Sequence, residues 1–173
     1  MSKAVLISIR PKWCELIASG KKTIEVRKTR PKQETPFKSY IYCTRNGRPL
    51  VYGDVPCADG WTEKYTQTYG YNREEADKIW GVMNGKVVGE FVCDEIIKDE
   101  RGEYADLFER YGCVSLAEQK EYEPRKPIYG WHISNLVIYD EPKPLKKFQI
   151  PTTYPARTVR QAPQSWCYIE ELP

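Results

Sequence analysis

The stretch from Gly20 to Arg27, with the sequence GKKTIEVR, constrains the fold of this chain more than any other. A glycine is suited to the left-handed backbone that ends a helix, and the residues after it predict a strand over about 22–28. Alternate side chains of a strand share a face. We therefore expect this strand to carry Thr23, Glu25 and Arg27 on one face and Lys22, Ile24 and Val26 on the other. A carboxylate two residues from an arginine can hold its guanidinium in a fixed pose, which favours recognition of planar or phosphate-bearing ligands.

The residues before this stretch predict how it enters the fold. Lys3–Ile9 is β-branched and apolar, which is typical of a core strand. Pro11 suits the first position of a helix, and the apolar spacing predicts that this helix runs to about Ser19. The chain therefore begins with a strand, one short helix and a second strand within thirty residues.

Further along the chain, short strands are interrupted by short helices. The spacing predicts helices at 103–110 and from a capping box at Ser115 to about Tyr122. We expect strands at 39–44, 86–97 with a bulge at Gly89, 136–140 and 165–169, and a buried turn beside the ligand that leads into a strand at 129–133. Such a pattern favours an α+β fold that is mainly β, arranged as a small barrel.

A length of 173 residues is typical of one domain, so we expect residues 1–173 to form a single unit. Residues 56–82 lose the strand pattern and are interpreted as an insertion on that unit. Residues 143–163 are rich in proline and lysine and predict an irregular C-terminal segment.

Charge is divided unevenly along the chain. Residues 1–48 hold 12 lysines and arginines against 3 acidic residues, whereas residues 53–123 hold 8 against 17. The basic segment is expected to attract polyanions such as nucleic acid. An alternative is that the basic and acidic segments face each other in the fold.

Composition also excludes some classes of protein. There is no run of 18 apolar residues and no apolar stretch long enough for a secretion signal, so we expect no membrane association and a cytoplasmic location. The six cysteines are scattered and His132 is the sole histidine, which predicts buried reduced thiols, no metal site and no cofactor.

The positions Gly20, Lys22, Glu25 and Arg27 match the pattern G-x-K-x-x-E-x-R, and with their flanking strand and helix the chain resembles the ASCH domain family of the PUA-like superfamily. The resemblance covers residues 1–55 and 86–140. It implies a PUA-like pseudo-barrel of about five or six strands with a cleft beside the pattern, and a role near RNA.

From this resemblance and the local chemistry we expect RNA, or a modified nucleotide or nucleoside, to bind in a basic cleft. The residues expected to contact it are Arg10, Lys12, Lys21, Lys22, Thr23, Glu25, Arg27 and Trp131.

Two other functions stay open. Some members of the family resemble amidases that act on N4-acylated cytidine through a lysine, a threonine and a glutamate. Lys22 matches the lysine position and Glu25 stands at the threonine position. If the chain is such an amidohydrolase, or a ribonuclease, Lys22 and Glu25 are its expected catalytic residues. A third hypothesis is a protein-interaction domain that uses the acidic stretch 90–123; its partners are unknown.

Overall fold

The computed structural model describes residues 2–45, 50–56, 62–67, 83–122, 127–151 and 157–173. Its helices are α1 (Pro11–Ala18), α2 (Ala105–Gly112) and α3 (Leu116–Tyr122), with a 3-10 helix at Leu145–Lys147. Its strands are β1 (Lys3–Ile9), β2 (Ile24–Arg27), β3 (Phe37–Cys43), β4 (Leu50–Pro56), β5 (Thr62–Gln67), β6 (Val87–Cys93), β7 (Ile96–Asp99), β8 (Ile128–His132), β9 (Ser134–Lys143), β10 (Gln149–Ile150), β11 (Arg157–Thr158) and β12 (Trp166–Glu170). Most of the predicted insertion, residues 57–61 and 68–82, lies outside the described residues.

Two sheets organise the fold. One has five strands in the order β12-β1-β3-β6-β9, in which β1 and β3 run parallel. The other has three antiparallel strands in the order β2-β8-β7, and β4–β5 and β10–β11 form separate pairs. The predicted α+β fold that is mainly β is confirmed. The described strands form no closed barrel, so the predicted pseudo-barrel is not confirmed.

The main core lies where the three-stranded sheet packs on the five-stranded sheet. Trp131 of β8 is 0% exposed and meets the rings of Phe37 and Trp166 edge-on, at centroid distances of 5.9 and 6.2 Å. Cys14, Cys43 and Cys93 are buried in the same cluster. Burial raises the pKa of Cys93 to about 12, so its thiol stays protonated at neutral pH. None of the helices in the described part of the chain is long and apolar enough to cross a membrane.

The predicted strand 86–97 is two strands. The chain leaves the five-stranded sheet after Cys93 and joins the three-stranded sheet at Ile96. The junction is held from β8, because the backbone N–H of His132 donates to the Glu95 carbonyl at 3.0 Å and the His132 ring contacts Asp94 at 2.6 Å. The predicted irregularity at Gly89 is confirmed by a register shift between Val87 and Gly89 in their pairing with β9.

The strand at the sequence pattern is shorter than predicted. Gly20 has the expected left-handed backbone, with φ of +74°, but β2 begins only at Ile24. The strand begins late because the backbone N–H groups of the two residues before it bond to carbonyls outside the sheet. Lys22 donates to the Leu16 carbonyl and Thr23 to the Tyr111 carbonyl, both at 2.9 Å. Lys22 therefore does not obey the alternation predicted for a strand residue.

Polar side chains cap α3 and organise the turn before α2. The predicted capping box is confirmed: the Glu118 N–H donates to Ser115 Oγ at 3.3 Å, and the Ser115 N–H donates to Glu118 Oε2 at 2.9 Å. The Asp99 side chain, in a residue that is 4% exposed, accepts hydrogen bonds from four successive backbone N–H groups. These donors are Arg101, Gly102, Glu103 and Tyr104. Asp99 thereby shapes the turn that leads into α2.

The substitution Asp99→Asn is expected to lower the free energy of unfolding by about 2 kcal/mol, because hydrogen bonds to a buried charged acceptor contribute roughly 1.5–3 kcal/mol. Urea denaturation measures this change. The exposed Asp106→Asn in α2 serves as the control and should change the value by less than about 1 kcal/mol. Equal losses in the two variants would contradict the role given to Asp99.

Candidate functional site

A pocket of about 670 Å³ opens between α1, β2 and α3. Its floor is the cluster of Lys22, Glu25 and Arg27, which we call the floor cluster. These residues are 2, 4 and 8% exposed, respectively. Ionised side chains are seldom buried to this degree unless they are paired.

Glu25 provides the negative charge of the floor cluster and pairs with both cations. Its Oε1 lies 2.9 Å from Arg27 Nε, and its Oε2 lies 3.3 Å from Lys22 Nζ. Glu25 and Arg27 lie two residues apart on β2, as the strand alternation predicts. Lys22 reaches the same carboxylate because it precedes the strand, so the prediction that it points to the opposite face is wrong.

Lys22 is held by three groups from different parts of the chain. Besides Glu25, its ammonium donates to the carbonyl of Gly112 at the end of α2. It also lies 5.0 Å from the centroid of the Trp13 ring, within the range of a cation–π contact. The end of α2 is thus tied to the floor of the pocket.

Arg27 is held from its other side by the two chain segments that meet beside β2. Its Nη2 donates to the Ser8 carbonyl at 2.5 Å, and its Nη1 lies 3.4 Å from Ser165 Oγ. A guanidinium carries five N–H donors. These contacts leave donors to face the pocket that Arg27 lines.

Two aromatic side chains line the pocket above the floor. Trp13 comes from α1 and Tyr122 from α3. The Trp13 ring contacts two cations, with Lys12 Nζ 4.5 Å and Lys22 Nζ 5.0 Å from its centroid, and Lys28 Nζ lies 4.6 Å from the Tyr122 centroid. Burial raises the pKa of Tyr122, so its hydroxyl is a neutral donor and acceptor at neutral pH.

The charge around the pocket is mixed. Among the described lining residues, the cations are Arg10, Lys22, Arg27 and Lys28, and the carboxylates are Glu25, Glu118 and Glu121. Hydrogen bonds from Ser115 lower the pKa of Glu118, which keeps this carboxylate ionised. The basic N-terminal segment and the acidic segment therefore meet at the pocket, and the cleft is less basic than the N-terminal segment alone predicts.

The structure brings together only half of the residues predicted to contact a ligand. Arg10, Lys22, Glu25 and Arg27 line the pocket, but Lys12, Lys21, Thr23 and Trp131 do not. Lys12 and Lys21 lie exposed outside it. Trp131 is fully buried between the two sheets, so its indole has no surface with which to contact a ligand.

Several lining residues were not among those predicted. They are Ser8, Trp13, Val26, Lys28, Thr44, Val114, Glu118, Glu121, Tyr122 and Gln164. The capping box predicts that Tyr122 lies on a short helix, but no spacing in the sequence indicates that this helix reaches the pocket. Among the described residues, no group of three or more His, Cys, Asp or Glu side chains is arranged to hold a metal ion.

The chain was compared with known families, proteins and structures. The model of the ASCH domain family matches residues 7–143. The crystal structure of ASCH from Zymomonas mobilis has a TM-score of 0.61 at 18% identity, and the match covers 97% of this chain and 88% of that one. A tyrosine-to-phenylalanine mutant of that protein has a TM-score of 0.57 at 19% identity, with coverages of 98% and 92%. At these identities the likeness concerns the fold. No curated protein sequence shows a significant match.

The substitution Glu25→Gln is expected to lower the free energy of unfolding by about 3–5 kcal/mol, because it leaves two buried cations without their shared anion. Chemical denaturation measures the loss. Glu15→Gln, which changes a half-buried carboxylate on α1, is the control.

Adding Lys22→Met to Glu25→Gln should recover part of this stability, since one of the two unpaired charges is removed. If Glu25→Gln alone is as stable as the control, the carboxylate does not hold the floor cluster together.

Proposed function

Because the chain belongs to the ASCH domain family, which is generally thought to bind RNA, we propose that this pocket binds RNA or a modified nucleotide. The observation that carries the proposal is the floor cluster. An arginine fixed by a buried carboxylate faces a pocket of about 670 Å³, a volume within the range of about 300–1,000 Å³ found for small-molecule sites.

The phosphate is assigned to the arginine side of the pocket. Arg27 offers donors from a guanidinium whose position is set before any ligand binds, and this lowers the entropic cost of binding. Arg10 and Lys28 are exposed beside it on the pocket lining. Guanidinium groups are well suited to phosphate because they can form two parallel hydrogen bonds to it.

The base is assigned to the aromatic side of the pocket. Tyr122 offers a π face on which a base can stack, and stacking contributes about 1–3 kcal/mol per base. Glu118 and Glu121 are acceptors for the exocyclic amines of a base. A base reaches such a pocket only when it is unstacked, so the favoured ligand is single-stranded RNA or a free nucleotide.

The geometry favours binding over the catalytic alternative at Lys22. A lysine acts as a base or nucleophile when desolvation removes its charge. Here the ammonium is paired with Glu25 and donates to the Gly112 carbonyl. Both contacts hold the amine within the buried floor cluster, so Lys22 is assigned to the support of Glu25.

The proposal is tested by fluorescence anisotropy with a labelled single-stranded RNA hexamer at several salt concentrations. Affinity should fall as salt rises, and Arg10→Ala and Lys28→Ala should each reduce the salt slope by about 0.7, the value for one lost phosphate contact on a single strand. Both residues are exposed, so folding should be unaffected.

Lys98→Ala removes an exposed lysine that does not line the pocket and is the matched control. No binding by the purified protein, or equal effects of all three substitutions, would contradict the proposal. Incubation of the same RNA and of N4-acetylcytidine with the protein, followed by chromatography, shows whether either is cleaved.

A further inference from the structure

We infer that residues 163–168, which lie beyond the family match at 7–143, complete the site: Gln164 contacts the base edge and Ser165 positions Arg27. This inference rests on the proposed nucleotide-binding function and adds to it a specificity residue. The segment begins at the end of the region predicted to be irregular, 143–163, and runs into the strand predicted at 165–169; nothing in the sequence pattern at 20–27 indicates that it reaches the pocket.

Two hydrogen bonds, one on each side of Gln164, hold the segment to the end of β1. Ser8 Oγ donates to the Pro163 carbonyl at 2.6 Å, and the Ser8 N–H donates to the Ser165 carbonyl at 2.9 Å. Because Ser8 bonds both neighbours of Gln164, the backbone of Gln164 is held at the pocket rim. Its side chain is exposed and lines the pocket.

Ser165 also contacts the floor cluster. Its Oγ lies 3.4 Å from Arg27 Nη1, on the opposite side of the guanidinium from Glu25. The Ser8 carbonyl, held by the same segment, accepts from Arg27 Nη2 at 2.5 Å. The direction of the guanidinium is therefore set by Glu25 from within β2 and by residues 8 and 165 from outside it.

The same segment holds the basic loop that follows β2. Trp166 Nε1 donates to Thr29 Oγ1 at 3.0 Å. The Tyr168 hydroxyl accepts from the N–H groups of Lys32 and Gln33, at 2.9 and 3.3 Å. Lys28, which lines the pocket, is therefore followed in the chain by a loop that is anchored on β12.

The chemistry of Gln164 differs from that of the charged groups that line the pocket. The lining lysines and arginines only donate and the ionised carboxylates only accept, whereas an amide does both. Among the described lining residues, Gln164 is the one amide side chain. A glutamine can bind a base edge with two hydrogen bonds, so Gln164 suits a nucleobase that presents a donor beside an acceptor.

Four labelled RNA hexamers, each containing a single base type, test this inference in anisotropy titrations with the full chain. The wild type should prefer one base by about tenfold or more. Gln164→Ala should reduce that preference to about threefold or less and leave the salt slope unchanged. Gln161→Ala, an exposed glutamine three positions earlier that does not line the pocket, should preserve the preference.

Ser165→Ala should do the reverse, lowering the salt slope while keeping the base preference, and Ser165→Thr should restore the slope. Ser134→Ala, which removes another serine hydroxyl bonded within the fold, is its control and should leave the slope unchanged. A base preference that survives Gln164→Ala, a wild type that binds all four hexamers equally, or a slope unchanged in Ser165→Ala would overturn the inference. Failure of the wild type to bind any hexamer would instead overturn the proposed function beneath it.

Discussion

The double ion pair of Glu25 is the interaction on which the site depends. One carboxylate, in a residue that is 4% exposed, pairs with two buried cations at 2.9 and 3.3 Å. The floor cluster therefore keeps a formal charge of +1. An anion that binds beside it balances this charge. Arg27 therefore faces the pocket in a fixed direction without help from a ligand. A fixed cation loses little freedom on binding, and this is the physical basis for assigning the phosphate to that side.

The rest of the fold brings distant segments to this cluster. Pairing of β12 with β1 places Ser165 beside Arg27, and the end of α2 supplies the Gly112 carbonyl to Lys22. Asp99 shapes the turn before α2, and the end of α2 contacts Lys22. Asp99 therefore supports the position of Lys22 indirectly. The floor is buried and is held by several segments, whereas the walls at Arg10, Lys28 and Tyr122 are exposed.

Local features of the site could be predicted from the sequence, but its long-range contacts could not. The helix between Pro11 and Gly20, the capping box at Ser115 and the shared face of Glu25 and Arg27 each depend on residues within four positions of one another. Trp131 was misjudged because a tryptophan beside a glycine has the same pattern in a core as in a binding turn. Gln164 and Tyr122 reach the pocket through packing between residues more than 90 positions apart. Short-range spacing in the sequence does not predict such contacts.

A co-crystal structure with a short single-stranded RNA tests the central claim most directly. The account predicts one nucleotide in the pocket, with its phosphate within hydrogen-bonding distance of Arg27 and its base against Tyr122. It also predicts that the contacts of Glu25 with Lys22 and Arg27 are unchanged by the ligand. RNA bound to a different surface, with no nucleotide in this pocket, would contradict the account.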